Sequence, residues 1–146
     1  MSSQARCGVD QLSFPVLCLS RDTSITTAES PERLQGCNAR ALFTTRYFED
    51  LIVFDSTGEQ YRVLSAEMSP PLTGMRRWLA RAFNRSLTVR LELQRENAVS
   101  LATAKQHVLI WLKKDPDFWE ESRDIDDWER LVDAAKDMRR LIELFA

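Results

Sequence analysis

The chain has 146 residues, of which 44% are hydrophobic and 29% are charged, and its formal net charge is −2. This length predicts a single domain over 1–146 with one hydrophobic core, and this composition excludes a disordered or low-complexity chain. The near-neutral charge also excludes a general electrostatic attraction to nucleic acid.

The first third of the chain predicts an arm, a strand and a loop. Residues 1–11 are polar, and we expect a flexible arm. The apolar run within 12–20 predicts a strand, placed at a sheet edge because Pro15 cannot donate a backbone hydrogen bond. Residues 21–30 are polar and aperiodic, which predicts a loop.

A helix is predicted to begin at Pro31. Ser30 can accept a hydrogen bond from the free amides of the first turn, and proline suits the first helical position. The apolar spacing that follows predicts that the helix runs to about residue 43, although Gly36 weakens it.

The clearest β signals lie in the middle of the chain. Residues 51–66 contain two β-branched and aromatic runs around a turn with Gly58, which predicts a β-hairpin. Residues 86–94 alternate between apolar and polar side chains, which predicts a strand with one buried face. Between them lies a predicted helix whose apolar residues share one face and are expected to enter the core. They are Met75, Trp78, Leu79 and Phe83.

The last third, from Ser100 onward, has the periodicity of several short helices. Predicted caps are Ser100, Asp124 or Asp126, and Asp137. Together these elements predict an α+β fold. Its small antiparallel sheet consists of hairpin 51–66, strand 86–94 and the candidate edge strand 12–20, it packs against helices, and the C-terminal third is helical.

No motif marks a catalytic or cofactor site. His107 is the single histidine, and helical periodicity points it away from the apolar face of its helix. Cys7, Cys18 and Cys37 lack the spacing of a zinc site or a disulfide framework, so we interpret them as reduced thiols. In an exported protein, a Cys7–Cys18 or Cys18–Cys37 disulfide would be the alternative. We therefore expect no catalytic residue, metal ligand or cofactor, and an enzyme with an unrecognised site remains an alternative.

An acidic tract between Asp115 and Glu129 holds eight carboxylates and one arginine. It predicts either a solvated helical surface or a docking surface for a basic partner. Trp119, beside Phe118, is the candidate exposed aromatic anchor, although core packing is the favoured role for this side chain. The candidate protein interface consists of Phe118, Trp119, Glu120, Glu121, Asp124, Asp126 and Asp127.

An arginine tract lies between Arg76 and Arg95 and contains a single acid, Glu92. Arginines beside aromatic residues can bind phosphates and stack on bases. The candidate nucleic-acid contacts are Arg76, Arg77, Arg81 and Arg85. A simpler interpretation is that the arginine and acidic tracts pair with each other within the chain.

Two segments resemble known proteins. The run from Tyr47 to Gly58, with Tyr61 to Val63 after it, is similar to a hairpin of small uncharacterised bacterial proteins, and Lys113 to Ser122 resembles their C-terminal helical part. Some proteins of this type are immunity proteins, which neutralise a cognate toxin. The resemblance covers about the last two-thirds of the chain and implies no site residues.

These observations predict a cytoplasmic, non-enzymatic protein-binding module, with an immunity-type role as its specific form. Another protein is the expected partner, nucleic acid bound through the Arg76–Arg95 tract is the alternative, and no membrane partner is expected because no apolar run is long enough to span a bilayer. The oligomeric state stays open, as does the question of whether the two charged tracts pair internally or face partners.

Overall fold

The structure, a computed structural model, describes residues 6–38, 41–42, 46–68, 74–84 and 86–146. The strands within these ranges are β1 (Arg6–Cys7), β2 (Val16–Leu19), β3 (Ile25–Ala28), β4 (Gly36–Asn38), β5 (Ile52–Phe54), β6 (Glu59–Met68) and β7 (Ser86–Ala98). The α-helices are α1 (Pro31–Gln35), α2 (Gly74–Ala82), α3 (Leu101–Lys114), α4 (Pro116–Glu120), α5 (Ile125–Ala134) and α6 (Met138–Glu143).

The strands form one antiparallel sheet. Its order is β1–β7–β6–β5–β2–β3, and β4 pairs with the first residues of β7. β5 and β6 form the predicted hairpin, in which Val53 lies opposite Tyr61. With the helices concentrated in the C-terminal part of the chain, the predicted α+β fold is confirmed.

The predicted edge position of strand 12–20 is wrong. β2 lies inside the sheet, where it pairs with β5 on one side and with β3 on the other. Pro15 precedes β2, so its missing donor does not interrupt the ladder. β3 itself lies within 21–30, the segment predicted to be a loop, because pairing with β2 stabilises a short run that carries little apolar signal of its own.

The predicted arm and the first predicted helix also differ from the structure. Arg6 and Cys7 pair with Gln94 and Leu93, and Val9 is buried, so residues 6–11 are part of the domain; residues 1–5 lie outside the described residues. α1 begins as predicted, with the Ser30 hydroxyl accepting from the Arg33 amide at 3.3 Å. It ends at Gln35, because Gly36 already belongs to β4.

Two clusters of buried side chains lie on opposite faces of the sheet, as the alternation along β2 requires. Leu17 and Leu19 pack with residues of α3, α5 and α6, such as Val108 and Leu141. Val16 and Cys18 belong to a second cluster that also includes Leu34 of α1. The C-terminal helices therefore cover one face, and α1 with neighbouring segments covers the other.

The C-terminal helices begin where their caps predict. The Ser100 hydroxyl accepts from the Thr103 amide at 3.1 Å, and the Asp137 carboxylate accepts from the Arg140 amide at 2.8 Å. Asp124 occupies the position before α5 without a side-chain bond to the helix. Local capping hydrogen bonds therefore mark the starts of α3 and α6, whereas α5 begins after Asp124 without one.

The turn between β2 and β3 makes a testable prediction about pH. Burial raises the pKa of the Asp22 carboxyl, but hydrogen bonds from Ser20 and Ser24 outweigh burial and hold this pKa below its usual value. Because the folded pKa is the lower one, the stabilisation exists above the unfolded pKa and is lost as the pH falls through the folded pKa. Asp22 is exposed, so water screens its carboxylate, and Asp22→Asn is expected to lower the free energy of unfolding by only about 0.5 kcal/mol at about pH 7.

Urea unfolding of wild type and Asp22→Asn at about pH 7 and about pH 3 measures this effect. The stability difference between the two proteins should shrink at the acidic pH. Ser24→Ala serves as the matched variant, because it keeps the carboxylate but removes a hydroxyl donor at 2.8 Å, and it should lose part of the same pH dependence. A difference that is equal at both pH values would contradict the assignment.

Candidate functional site

The acidic surface comprises α4, the turn after it and the first residues of α5; its members are Phe118, Trp119, Glu120, Glu121, Asp124, Asp126 and Asp127. Four of its carboxylates are exposed, those of Glu120, Glu121, Asp124 and Asp126. Phe118 is 59% exposed. The predicted interface residues therefore lie on two consecutive helices and the turn between them, and this segment carries an exposed aromatic ring.

Phe118 is the exposed aromatic residue of this surface, whereas Trp119 packs against the core, the role favoured for it over that of an exposed anchor. Trp119 is half-buried, and its ring makes edge contacts with Phe118 at 5.1 Å, Trp128 at 5.4 Å and Phe145 at 5.6 Å between centroids. Trp128 and Phe145 stack at 5.4 Å. We call Trp119, Trp128 and Phe145 the aromatic cluster, and it supports Phe118 through the ring of Trp119.

The indole nitrogen of Trp119 is buried and has no hydrogen-bond partner among the described residues. The main-chain oxygen of Trp119, in contrast, accepts hydrogen bonds from the indole of Trp128 at 3.1 Å and from the Ser122 hydroxyl at 3.0 Å. A buried donor without an acceptor costs about 1–3 kcal/mol. The aromatic packing at this position therefore offsets a polar cost that a phenylalanine would not carry.

The charged groups of the acidic tract interact with nearby cations. Asp127 pairs with Arg130, and Glu129 pairs with Lys113 at 2.9 Å. Arg95 of the arginine tract instead holds Glu59 through two hydrogen bonds, of 3.0 and 2.6 Å. These ion pairs do not make the connection between the acidic tract and the arginine tract that the sequence predicted. Each charged group pairs instead with a partner on its own helix or on a neighbouring element.

The arginine tract is spread over α2 and β7. Arg76 and Arg77 are exposed on α2, and Arg90 is exposed on β7. Arg81 also belongs to α2, but its side chain is outside the described residues, as is the whole of Arg85. The structure therefore places three of the four candidate nucleic-acid contacts on one short helix, and it describes the side chains of two of them.

The aromatic residues of α2 contradict the prediction that they enter the core. Met75 is 74% exposed, Trp78 is 65% exposed and Phe83, just after the helix, is 68% exposed. Among the α2 side chains that the structure describes, Ala80 is the buried one. The spacing of the apolar residues predicted a helix face, but the side of α2 that approaches the body of the protein is the one that carries the small side chain of Ala80.

The three thiols and the single histidine lie in partly or fully buried surroundings. Burial raises the pKa of Cys18 to about 12 and also raises the pKa of Cys7 and Cys37, which keeps these thiols protonated and weakly nucleophilic at neutral pH. His107 is half-buried, with its ring 5.6 Å from that of Phe54, so the expectation of a solvent-facing histidine is wrong. The ring of His107 therefore packs near a buried core residue, although helical periodicity predicted that it points away from the apolar face.

Three cavities are lined by described residues. A groove of about 560 Å³ beside β1 is lined by charged side chains such as Arg6, Glu67 and Glu92. Two others, of about 290 and 280 Å³, lie near Pro15 and near Cys18. His107 lines none of the three. These cavities therefore add no support to a histidine-based active site.

The described part of the chain also bears on metal binding and on membranes. Within it, no three side chains of His, Cys, Asp or Glu come together in a way that could hold a metal ion. Among the helices that the structure describes, none is long and apolar enough to cross a membrane.

The chain matches no family model, no curated protein and no solved structure. The two charged surfaces are therefore interpreted from their own chemistry.

Proposed function

We propose that the protein is a non-enzymatic binding module whose acidic surface docks a basic partner protein. The observation that carries this proposal is Phe118, an aromatic side chain that is 59% exposed and lies in the same short segment as the exposed carboxylates of Glu120 and Glu121. A large exposed ring has an unfavourable solvation free energy, and a partner that covers it removes that cost.

Phe118 suits the role of an anchor because the aromatic cluster supports it. Its ring meets that of Trp119 at 5.1 Å with the planes perpendicular, and Trp119 in turn packs on Trp128 and Phe145. A ring that is already held in place loses little conformational freedom on binding. The surface is therefore organised before the partner arrives.

The carboxylates around this ring favour a basic partner. Charge complementarity accelerates association and excludes acidic partners, while a central aromatic contact supplies much of the affinity. This combination also disfavours nucleic acid at the acidic surface, because phosphates would be repelled.

An immunity-type role is the specific form of this proposal. A protein that neutralises a toxin by covering it needs a rigid, charged docking surface and no catalytic group of its own. The support for this form is the acidic surface together with the resemblance of 47–63 and 113–122 to small bacterial proteins that include immunity proteins. An enzyme with an unrecognised site stays a prediction that no observation here favours.

Phe118→Ala is expected to weaken binding to the partner by about 2 kcal/mol, or roughly thirtyfold, because it removes the anchor but leaves the fold intact. Glu120→Lys combined with Glu121→Lys is expected to weaken binding roughly tenfold, mainly by slowing association, and the effect should shrink at high salt. Surface plasmon resonance at two salt concentrations measures both effects.

The partner is first captured by a photo-crosslinking amino acid placed at position 118 in the cell that expresses the protein. The matched control carries the same amino acid at position 64, where Leu64 is also exposed but lies on β6. We expect a basic protein to be captured from position 118 alone. Equal capture from both positions, or a captured protein whose affinity ignores Phe118→Ala, would show that the acidic surface is not the docking site.

A further inference from the structure

β3 is the last strand at its end of the sheet, and one row of its main-chain groups is unpaired. The Ser20 amide donates to the Ser24 carbonyl oxygen at 3.0 Å, so the hydrogen-bonded pairs between β2 and β3 recur at every second residue from this pair. The N–H and C=O groups of Ile25, Thr27 and Glu29, the last just after β3, therefore point away from β2. They have no hydrogen-bond partner among the described residues, and we call these three residues the β3 edge.

A cavity lies beside the β3 edge on the face of the sheet that the C-terminal helices cover. This cavity, which we call the Pro15 cavity, has a volume of about 290 Å³, and its lining includes Thr27 and Glu29 of the edge together with Phe14, Pro15 and Ile142 of α6. Ile142 is buried, and Phe14 and Pro15 are half-buried, so its inner lining is apolar. An apolar side chain that entered this cavity from the edge would leave water for apolar contact.

A second cavity lies on the opposite face of the same edge. We call it the Cys18 cavity; its volume is about 280 Å³, and Thr26, Thr27 and Ala28 line it together with Leu34 of α1. Thr27 lines both cavities, as expected of a residue whose main chain lies between them. Successive side chains of a strand point to opposite faces, so a strand added at this edge would direct its side chains to the two cavities in turn.

The unpaired groups of the β3 edge match an extended polypeptide. Each residue of the edge offers one donor and one acceptor, and the residues repeat every second position, about 7 Å apart along the strand. The main chain of another extended segment presents the complementary row of acceptors and donors at the same spacing. An open edge of this kind is where another chain can pair with a sheet, and cavities beside it select the side chains of that chain.

A second copy of this chain fits the β3 edge less well. Antiparallel pairing of two such edges, centred on Thr27, would set Glu29 of one copy opposite Ile25 of the other. Ile25 is 6% exposed and packs with residues of the C-terminal helices, so this pairing would bring a carboxylate against an apolar cluster. The small side chain of Thr27 from the second copy would also leave most of the Pro15 cavity empty.

We propose that the β3 edge binds an extended segment of another protein by strand addition. The main chain of this segment pairs with Ile25, Thr27 and Glu29, and its residue opposite Thr27 places a large apolar side chain in the Pro15 cavity. Residues that lie directly opposite each other share a face of the sheet, which is why this position meets that cavity. The β3 edge shares no residue with the acidic surface, and this proposal is independent of the function proposed there.

Peptides displayed on phage provide the probe. We expect a library of random nine-residue peptides, panned against the full chain, to yield binders that carry a large apolar residue between polar or small neighbours. Thr27→Pro should weaken their binding at least about tenfold, because proline removes the outward N–H and takes no bond from the ladder with β2. Thr27→Ala is the matched control; it keeps every main-chain group and should change the affinity by less than about threefold.

Hydrogen exchange of the wild-type protein tests the same contact without a substitution. The amides of Thr27 and Glu29 should exchange quickly in the free protein and slowly once a selected peptide is bound. Methylation of the peptide nitrogen that pairs with the edge should abolish binding, whereas methylation of the next nitrogen, which points away, should be tolerated. This pair of peptides keeps the test decisive if circular dichroism shows that Thr27→Pro does not fold.

The remaining outcomes separate strand addition from its competitors. Phe118→Ala, on the acidic surface, should leave peptide binding unchanged, so failure of one proposal does not affect the other. The proposal is overturned if the library yields no binder, or if the binders tolerate methylation at every nitrogen. Protection of the Thr27 amide that grows with protein concentration in the absence of peptide would also overturn it, because the occupant would then be a second copy of the chain.

Discussion

Trp128→Ala is expected to lower the free energy of unfolding by about 4 kcal/mol. Trp128 is 7% exposed, stacks on Phe145 at 5.4 Å, and donates its indole hydrogen to the main-chain oxygen of Trp119 at 3.1 Å. Alanine would leave a cavity between α4, α5 and the C-terminal residues, and it would remove both the stacking and the hydrogen bond. The aromatic cluster would then no longer support Phe118.

The matched control is Trp78→Ala, which removes the same side chain from a site that is 65% exposed. It should change the free energy of unfolding by no more than about 0.5 kcal/mol in urea titrations. Trp128→Phe keeps a ring but loses the donor, so its loss should be intermediate. Equal losses for Trp78→Ala and Trp128→Ala would mean that the contrast in burial between these two sites is incorrect.

This contrast also shows what the sequence could predict about α2. The periodicity of Met75, Trp78 and Leu79 correctly indicated a helix, because intrahelical geometry is a local property. Whether the apolar side of a helix meets the body or the solvent is decided by the neighbours it packs against, which lie far away in sequence. Ala80, with its small side chain, allows a close approach that the sequence did not reveal.

In the sheet, too, the predicted elements have local signals and the unpredicted ones depend on distant neighbours. Hairpin β5–β6 and strand β7 were predicted because their alternation and turn residues are local signals. β3 was not, because Thr26 and Thr27 at its centre are polar and its register depends on β2. Pro15 led to the wrong position for β2, since a proline just before a strand removes no ladder bond.

The charges of the acidic surface are a compositional property that the sequence shows directly, but the orientation of its aromatic side chains is not. Phe118 and Trp119 are adjacent on a helix and point about 100° apart, so only one of them can pack against Trp128 and Phe145. That choice depends on Trp128 and Phe145, which approach from other segments, and Trp119 contacts both of them.

Asp55→Ala is expected to lower the free energy of unfolding by about 3 kcal/mol. Asp55 is 2% exposed at the end of β5. One of its oxygens accepts from the amides of Thr57 and Glu59, at 2.9 and 3.1 Å, and from the Thr57 hydroxyl at 2.6 Å. The other accepts from the Ser13 amide at 3.2 Å, which ties the hairpin to the segment before β2.

Asp55 precedes Ser56 and Thr57, and an aspartate at this position is a local turn signal that the alternation of strand residues does not include. Asp55→Asn keeps an acceptor oxygen for the turn and should cost about 1 kcal/mol, whereas alanine leaves several donors without an acceptor. Asp133→Ala, at an exposed position of α5, is the matched control and should change stability by less than about 0.5 kcal/mol. Urea unfolding ranks the three variants, and if Asp55→Ala cost no more than Asp133→Ala, the buried carboxylate would not be what holds the hairpin to β2.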